Sequence, residues 1–196
     1  MRKSIKYLVV VVLIGALAGC GLAAREINLK SQSEKRDVFS EVNGEGIPPK
    51  GFVDVLIKTS IKTHTKGYYF MEPEKTFHGQ EGYPVLVNID GQAITWKLKG
   101  EKEIIPSEKG SNNPEEGEGM RYRLDKRIRL APGPHHIFFG LPGEKIYKEV
   151  TLILMEGSMN VLEFKPRYRP LRGRTTRSFL HGVDGGELVF NGNPLR

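Results

Sequence analysis

The feature that most restricts the fold is a hydrophobic period of two that recurs from residue 53 to residue 164 and is broken by turn residues. Val53, Val55, Ile57, Thr59, Ile61 and Thr63 share one parity, and Asp54, Lys58, Ser60 and Lys62 the other, the pattern of a half-buried strand. Pro84 to Ile89 and Gln92 to Leu98 flank Asp90-Gly91, a dipeptide that tolerates positive φ at both centres of a two-residue hairpin turn. Val85, Val87 and Ile89 are then expected to face inward. A third strand is read over Met120 to Leu130. A fourth, carrying Ile137, Phe139 and Leu141, follows Ala131-Pro132-Gly133-Pro134, which suits a type II turn. Ile146 to Met155 and Met159 to Phe164 are separated by Glu156-Gly157-Ser158, a further hairpin signal. No long 3.6-residue period appears beyond the N-terminal 19 residues. Short strands without intervening helices predict an all-β fold, an antiparallel β-sandwich or barrel, over residues 51–164.

Two stretches interrupt the alternation. Residues 99–119 are rich in Glu, Gly, Ser, Asn and Pro and almost devoid of apolar side chains, so they are expected to form a disordered loop. Residues 20–50 are mixed and polar and end in Gly44-Glu45-Gly46-Ile47-Pro48-Pro49, the composition of a flexible tether, with a helical turn expected near Asp37 to Val42.

The first 19 residues read differently. A basic start (Arg2, Lys3, Lys6) precedes an apolar run from Tyr7 to Leu17, the make-up of a secretory signal and shorter than the ~20 apolar residues that span a bilayer. The run closes on Leu17-Ala18-Gly19-Cys20, which resembles the lipobox of bacterial lipoproteins. That resemblance implies diacylglyceryl modification of Cys20, cleavage before it and acylation of the new N-terminus. Three acyl chains would hold the protein on a membrane, since each buried CH₂ adds ~0.8 kcal/mol. Gly21 stands at the sorting position, where the absence of Asp favours the outer membrane. Cleavage removes three basic residues and no acidic one, leaving 177 residues and lowering the net charge from +7 to +4. Cys20 is the only cysteine, so the mature chain would offer no disulfide, thiolate ligand or thiol nucleophile.

The segment from Tyr83 to Phe164 resembles the PEGA-type bacterial surface domain, a small transthyretin-like β-sandwich. Pro84-Val85-Leu86-Val87-Asn88-Ile89-Asp90-Gly91 is similar to that domain's opening strand and turn. Leu130 to Ile137, through Pro132-Gly133, is similar to its later strand, and Gly143 to Phe164 to its closing hairpin. The Pro-Glu-Gly-Ala tetrad and the Gly-Thr-Pro segment of that family are missing from this chain. The resemblance implies a non-enzymatic envelope module with no catalytic residues and no cofactor.

Candidate sites are few. His135 and His136 are strand neighbours and point to opposite faces, while His64, His78 and His181 are scattered, so structural or solvent-facing roles are expected and no metal. There is no Gly-x-Ser-x-Gly elbow and no P-loop. Charge is the sharper signal. Arg121, Arg123, Arg127 and Arg129 share one parity with Asp125, a ridge of arginines on one strand face. Lys165, Arg167, Arg169, Arg172, Arg174 and Arg177 follow, with no acidic residue between Glu163 and Asp184. Clustered arginines suit phosphate or carboxylate, and the alternative is a solvated sheet face followed by a basic tail over residues 165–196. The apolar positions of that tail, Phe179, Leu180, Leu188, Val189 and Phe190, suit either a last strand or an addition to a partner's sheet.

These readings converge on a lipid-anchored envelope module rather than an enzyme. Its expected partners are the membrane through the covalent lipid, and an envelope protein, anionic lipid or polysaccharide, with nucleic acid discounted for a domain outside the cytoplasm. A hydrolase of envelope glycans, with carboxylates converging from separate strands, is the alternative class.

Overall fold

The computed structural model describes residues 21–44, 46–72, 76–157, 160–171 and 175–195. Residues 1–20, including Cys20 and the stretch expected to be a lipoprotein signal, and the two arginines Arg172 and Arg174 lie outside the described residues. The described residues form a helix, α1 (residues 21–30), and eleven strands, β1 (Phe39–Val42), β2 (Val53–Thr63), β3 (Tyr83–Ile89), β4 (Gln92–Leu98), β5 (Gly100–Ile105), β6 (Gly117–Leu130), β7 (Gly133–Leu141), β8 (Ile146–Leu154), β9 (Asn160–Tyr168), β10 (Val183–Phe190) and β11 (Asn193–Pro194). A 3₁₀ turn, Phe179–His181, precedes β10.

The strands make a β-sandwich. One sheet runs β1-β6-β2-β9-β10-β11, with β5 also on β6, and the other runs β4-β3-β7-β8. Successive strands alternate between the layers in groups: β1 and β2 in the larger sheet, β3 and β4 in the smaller, β5 and β6 in the larger, β7 and β8 in the smaller, and β9 to β11 in the larger. The pairings are antiparallel except for β2 with β9, where Val55 to Thr59 runs parallel to Asn160 to Phe164.

The expected parity holds where strands face the core. Val53, Val55, Ile57 and Ile61 of β2 pack with Tyr83, Val85, Val87 and Ile89 of β3, and with Ile137, Phe139 and Leu141 of β7. Asp90 and Gly91 both take positive φ, 50° and 98°, as a two-residue hairpin requires. The hairpin expected at Glu156-Gly157-Ser158 is not one, because β8 pairs with β7 and β9 with β2 and β10, so this turn carries the chain from one sheet to the other. A turn signal fixes a reversal but not which layer receives the next strand.

Two further expectations are corrected, and one left open is decided. Residues 20–50 are not simply a tether: α1 lays Ile27 onto Leu86 and Phe138 on the outer face of the smaller sheet, and residues 39–42 form β1 on β6 instead of a helical turn. Burial under α1 is why β3 has no exposed face. Residues 99–119 are not a disordered insertion, because Gly100 to Ile105 pairs with Gly117 to Tyr122. The few apolar side chains there are offset by backbone pairing and by ionic contacts described below. For residues 165–196, expected to supply either a last strand or an addition to a partner's sheet, the chain takes the first course: Lys165 and Arg167 lie in β9 and Val183 to Phe190 pairs with it as β10.

Candidate functional site

The arginine ridge lies on the outer face of the larger sheet and is compensated residue by residue. Arg129 donates to both oxygens of Asp54 (2.7 and 3.0 Å), and Arg127 meets the same carboxylate at 2.8 Å. The hydrogen bonds from Arg129, with the charges of both arginines, outweigh burial and hold the Asp54 carboxyl below its ordinary range. Arg127 also donates to the carbonyls of Gly44 and Gly46. Arg123 pairs with Glu101 and Glu103. Lys165 lies 3.8 Å from Glu163, Arg167 donates to Asp184, and Arg169 donates to the Val183 carbonyl. The ridge expected to bind anions thus already has partners at its described guanidinium groups: carboxylates from β2, β5, the 106–116 segment and β10 take donors of Arg121, Arg123, Arg127, Arg129 and Arg167 for which an added anion would compete.

The most buried part of this face is a four-charge cluster. Lys62 and Arg121 stand directly opposite across β2 and β6, a repulsive arrangement if left alone. Glu115 Oε1 and Oε2 accept from Arg121 Nη1 and Nη2 at 2.9 and 2.6 Å, and Glu103 Oε2 accepts from its Nε at 2.8 Å. Lys62, 0% exposed, donates to the carbonyls of Glu115 and Gly117 and lies 4.7 Å from the centre of the Phe179 ring. Burial pushes the carboxyls of Glu103 and Glu115 up, but the Arg121 guanidinium outweighs it and leaves both below their ordinary values. Burial pushes Lys62 down and raises Tyr168, whose hydroxyl donates to Glu115. Phe179 Cε2 would stand 2.7 Å from a Cβ added at Gly119, so this glycine leaves the room that the ring fills.

A second cluster sits at the end of the sandwich where β2 finishes and β3 begins. His64 Nδ1 bonds the Thr65 carbonyl at 2.9 Å, so that nitrogen must carry a proton. In the neutral ring His64 Nε2 is then an acceptor, and His78 Nδ1 donates to it across 3.0 Å. His78 Nε2 and Glu144 Oε1 are 2.6 Å apart and share one further proton. Tyr83 donates to Glu144 Oε1, and the Val183 amide donates to Oε2. Burial lowers the His64 pKa, and Glu72 Oε1, buried without a hydrogen bond, lies 3.5 Å from His64 Nε2. The expectation that these histidines are scattered is therefore corrected for His64 and His78, which loops 64–82 and 142–145 bring into contact. His135 and His136 do point apart: His135 bonds Asp90 and the Ala131 carbonyl, and His136 lies 3.7 Å from Glu149. Among the described residues no group of His, Cys, Asp and Glu has the arrangement of a metal site.

His64 supports a loop that has no counterpart in the expectations above. Tyr68 and Tyr69 pack their rings on it, with centroids at 5.6 and 5.1 Å, and the Tyr69 hydroxyl meets the Leu180 carbonyl and His181 Nδ1. Beyond them Phe70 is 102% exposed and Met71 86%. Four large apolar residues in succession beside a glycine in a turn-rich segment are the signal that points to this loop. Elsewhere, an open groove of about 1150 Å³ runs between the 42–52 segment and the outer face, with Ile47, Phe52 and Leu56 beside Asp54, Lys126 and Arg127.

Comparison with known proteins gives no matching family model, no matching curated protein and no matching solved structure.

Proposed function

We propose that the chain is a lipid-anchored cell-envelope protein, placed at the outer membrane, whose PEGA-like β-sandwich acts as a non-catalytic binding or structural module. The observation that carries this reading is Leu17-Ala18-Gly19-Cys20, set behind a basic and apolar head and holding the chain's only thiol. The fold is in keeping with it, since the space between the sheets is filled by apolar side chains and the charged groups of the larger sheet's outer face are spent on one another. The groove beside β2 offers an apolar floor with a charged rim, the chemistry of a site for an envelope protein segment.

The hydrolase alternative asks for a cleft with one carboxyl held protonated. Glu103 and Glu115 do converge from different segments, but both accept from Arg121, Glu103 from Arg123 as well, and both are shifted toward the anion. That arrangement favours the binding module over a glycosidase.

The experiment is Cys20→Ser in the full chain, followed by membrane fractionation and mass spectrometry of the wild type. The expected outcome is an acylated wild type in the detergent-soluble membrane fraction and a soluble variant. A wild type without lipid, with a variant that still partitions wholly to membranes, would overturn the reading.

A further inference from the structure

The loop carrying Tyr68, Tyr69, Phe70 and Met71 leaves Phe70 and Met71 102% and 86% exposed, yet its base is built. His64 backs both tyrosines, Tyr69 is tied to Leu180 and His181, and the Gly67 amide donates to Glu72 Oε2. Such anchoring props Phe70 and Met71 outward instead of letting them fold back onto the protein. Fully exposed apolar tips next to half-exposed tyrosines are the composition of a membrane-interface contact, with the hydroxyl-bearing rings at headgroup level and the apolar ones below.

The path of α1 says which surface the tip meets. Glu34 and Lys35 bond the Gly91 carbonyl at the β3–β4 turn, the Lys30 carbonyl accepts from Asn88, and Ile27 packs on Leu86. Read from residue 35 back to residue 21, the chain thus retreats from the Asp90-Gly91 turn toward the Tyr83 end of β3. That is the end at which the 64–82 loop enters β3. Gly21 is bonded covalently to Cys20, so the acylated residue of the proposed lipoprotein lies one position from the start of α1. On the two segments, Leu22 is 64% exposed, and the side chains of Arg25 on α1 and Lys66 beside the loop are exposed.

We infer that the Tyr68–Met71 loop is a second membrane contact, inserted into the same lipid surface that holds Cys20, so that the sandwich sits on the bilayer by its β2–β3 end. This rests on the lipoprotein reading for the choice of occupant. A lipid surface suits the site better than a protein pocket because the tip is apolar and fully exposed, with half-exposed tyrosines behind it and the exposed Lys66 beside it, as in an interfacial anchor.

The test uses the chain from Cys20 onward, which contains every core residue of both sheets. Its sole thiol is coupled to a maleimide phospholipid in vesicles of phosphatidylethanolamine and phosphatidylglycerol, so lipid attachment does not depend on processing by a cell. Phe70→Trp places a reporter on the tip, and the one native tryptophan, buried Trp96, serves as the internal reference. The expected result is a blue-shifted emission for the variant and at least twofold quenching by brominated acyl chains, with Trp96 in the wild type unquenched. Phe70→Glu with Met71→Glu, introduced into the uncoupled chain, is expected to lower its vesicle partitioning at least fivefold without changing the melting temperature.

Water-like, unquenched emission from a vesicle-bound Phe70→Trp chain would overturn the inference. So would a blue shift that rises with protein concentration without vesicles, which assigns the tip to a second copy. Insertion of the coupled chain alongside an unlipidated wild type in cells would sink the lipoprotein reading and leave the loop's lipid affinity standing. An acylated wild type with an unquenched tip would do the reverse.

Discussion

Arg121→Met is the sharpest test of the charge cluster. The side chain is 5% exposed and makes three hydrogen bonds to the Glu103 and Glu115 carboxylates. Methionine keeps much of the volume and removes the charge, so Glu115 keeps only the Tyr168 hydroxyl and the nearby Lys62, and Glu103 only Lys62 and the half-exposed Arg123. Breaking a buried pair by deleting one partner costs ~3–5 kcal/mol. Both glutamates keep about a quarter of their side-chain surface in water, which lowers the expectation to ~2–4 kcal/mol. In a domain of this size ~1 kcal/mol moves the melting temperature by ~2–4 °C, so calorimetry should read a drop of roughly 5–15 °C. The pH dependence supplies an independent sign. In the native chain both carboxyls are held below their unfolded value of 4.5, so their contribution is present above about pH 4.5 and is lost as pH falls through the lowered folded values. Without Arg121 the burial that raises them is opposed mainly by Lys62, so the variant should gain stability relative to the wild type as pH falls from 7 toward 4. A melting temperature within ~2 °C of wild type at pH 7, or a parallel loss of stability with acid in both proteins, would refute the reasoning. Arg123→Met is the control, because its side chain is 53% exposed and such a pair is worth ~0–1 kcal/mol.

Replacing residues 106–116 with a Gly-Ser linker should cost at least as much as Arg121→Met, since it removes the Glu115 contacts to Arg121, Lys62 and Tyr168; urea midpoints of the two variants give the comparison. Gly119→Ala should destabilise by ~1–3 kcal/mol through overpacking, because the new Cβ would meet the Thr63 carbonyl at 2.6 Å and the Phe179 ring at 2.7 Å. His64 has a folded pKa below its unfolded value of 6.5, so its contribution is complete above about pH 6.5 and declines as pH falls through the lowered folded value. His64→Phe should flatten that limb of the stability curve, read as the difference in urea midpoint between pH 7.5 and pH 5.5.

Strand parity was legible because a half-buried strand writes its inward face into every second residue, as in Val53 to Thr63, and because only certain dipeptides tolerate the two positive φ angles at Asp90 and Gly91. What the periodicity does not encode is the layer each strand joins. The Glu156-Gly157 turn looks the same whether it closes a hairpin or crosses between sheets. The 99–119 segment was misleading for a related reason. Its glutamates read as solvating until Arg121 and Lys62, on strands far away in the chain, are placed beside them. Residues 21–30 carry good helix formers, Leu22, Ala23, Ala24, Arg25 and Glu26, but only Ile27 is buried, so no apolar stripe advertised the helix. His64 and His78 escaped notice because loops, which have no fixed period, bring them together.

The parallel pairing of β2 with β9 has a kinetic consequence. Thr59 and Phe164, joined by a hydrogen bond at this seam, are 105 positions apart in the chain. The central seam of the larger sheet therefore closes only after most of the sequence is available. Until then the β2–β6 ribbon presents a free edge, and closing a loop of this span is entropically slow compared with forming the Asp90-Gly91 hairpin. Folding should accordingly be rate-limited by the arrival of β9. Substitutions at the seam, such as Thr59→Val, should slow refolding more than equally destabilising ones at β3–β4.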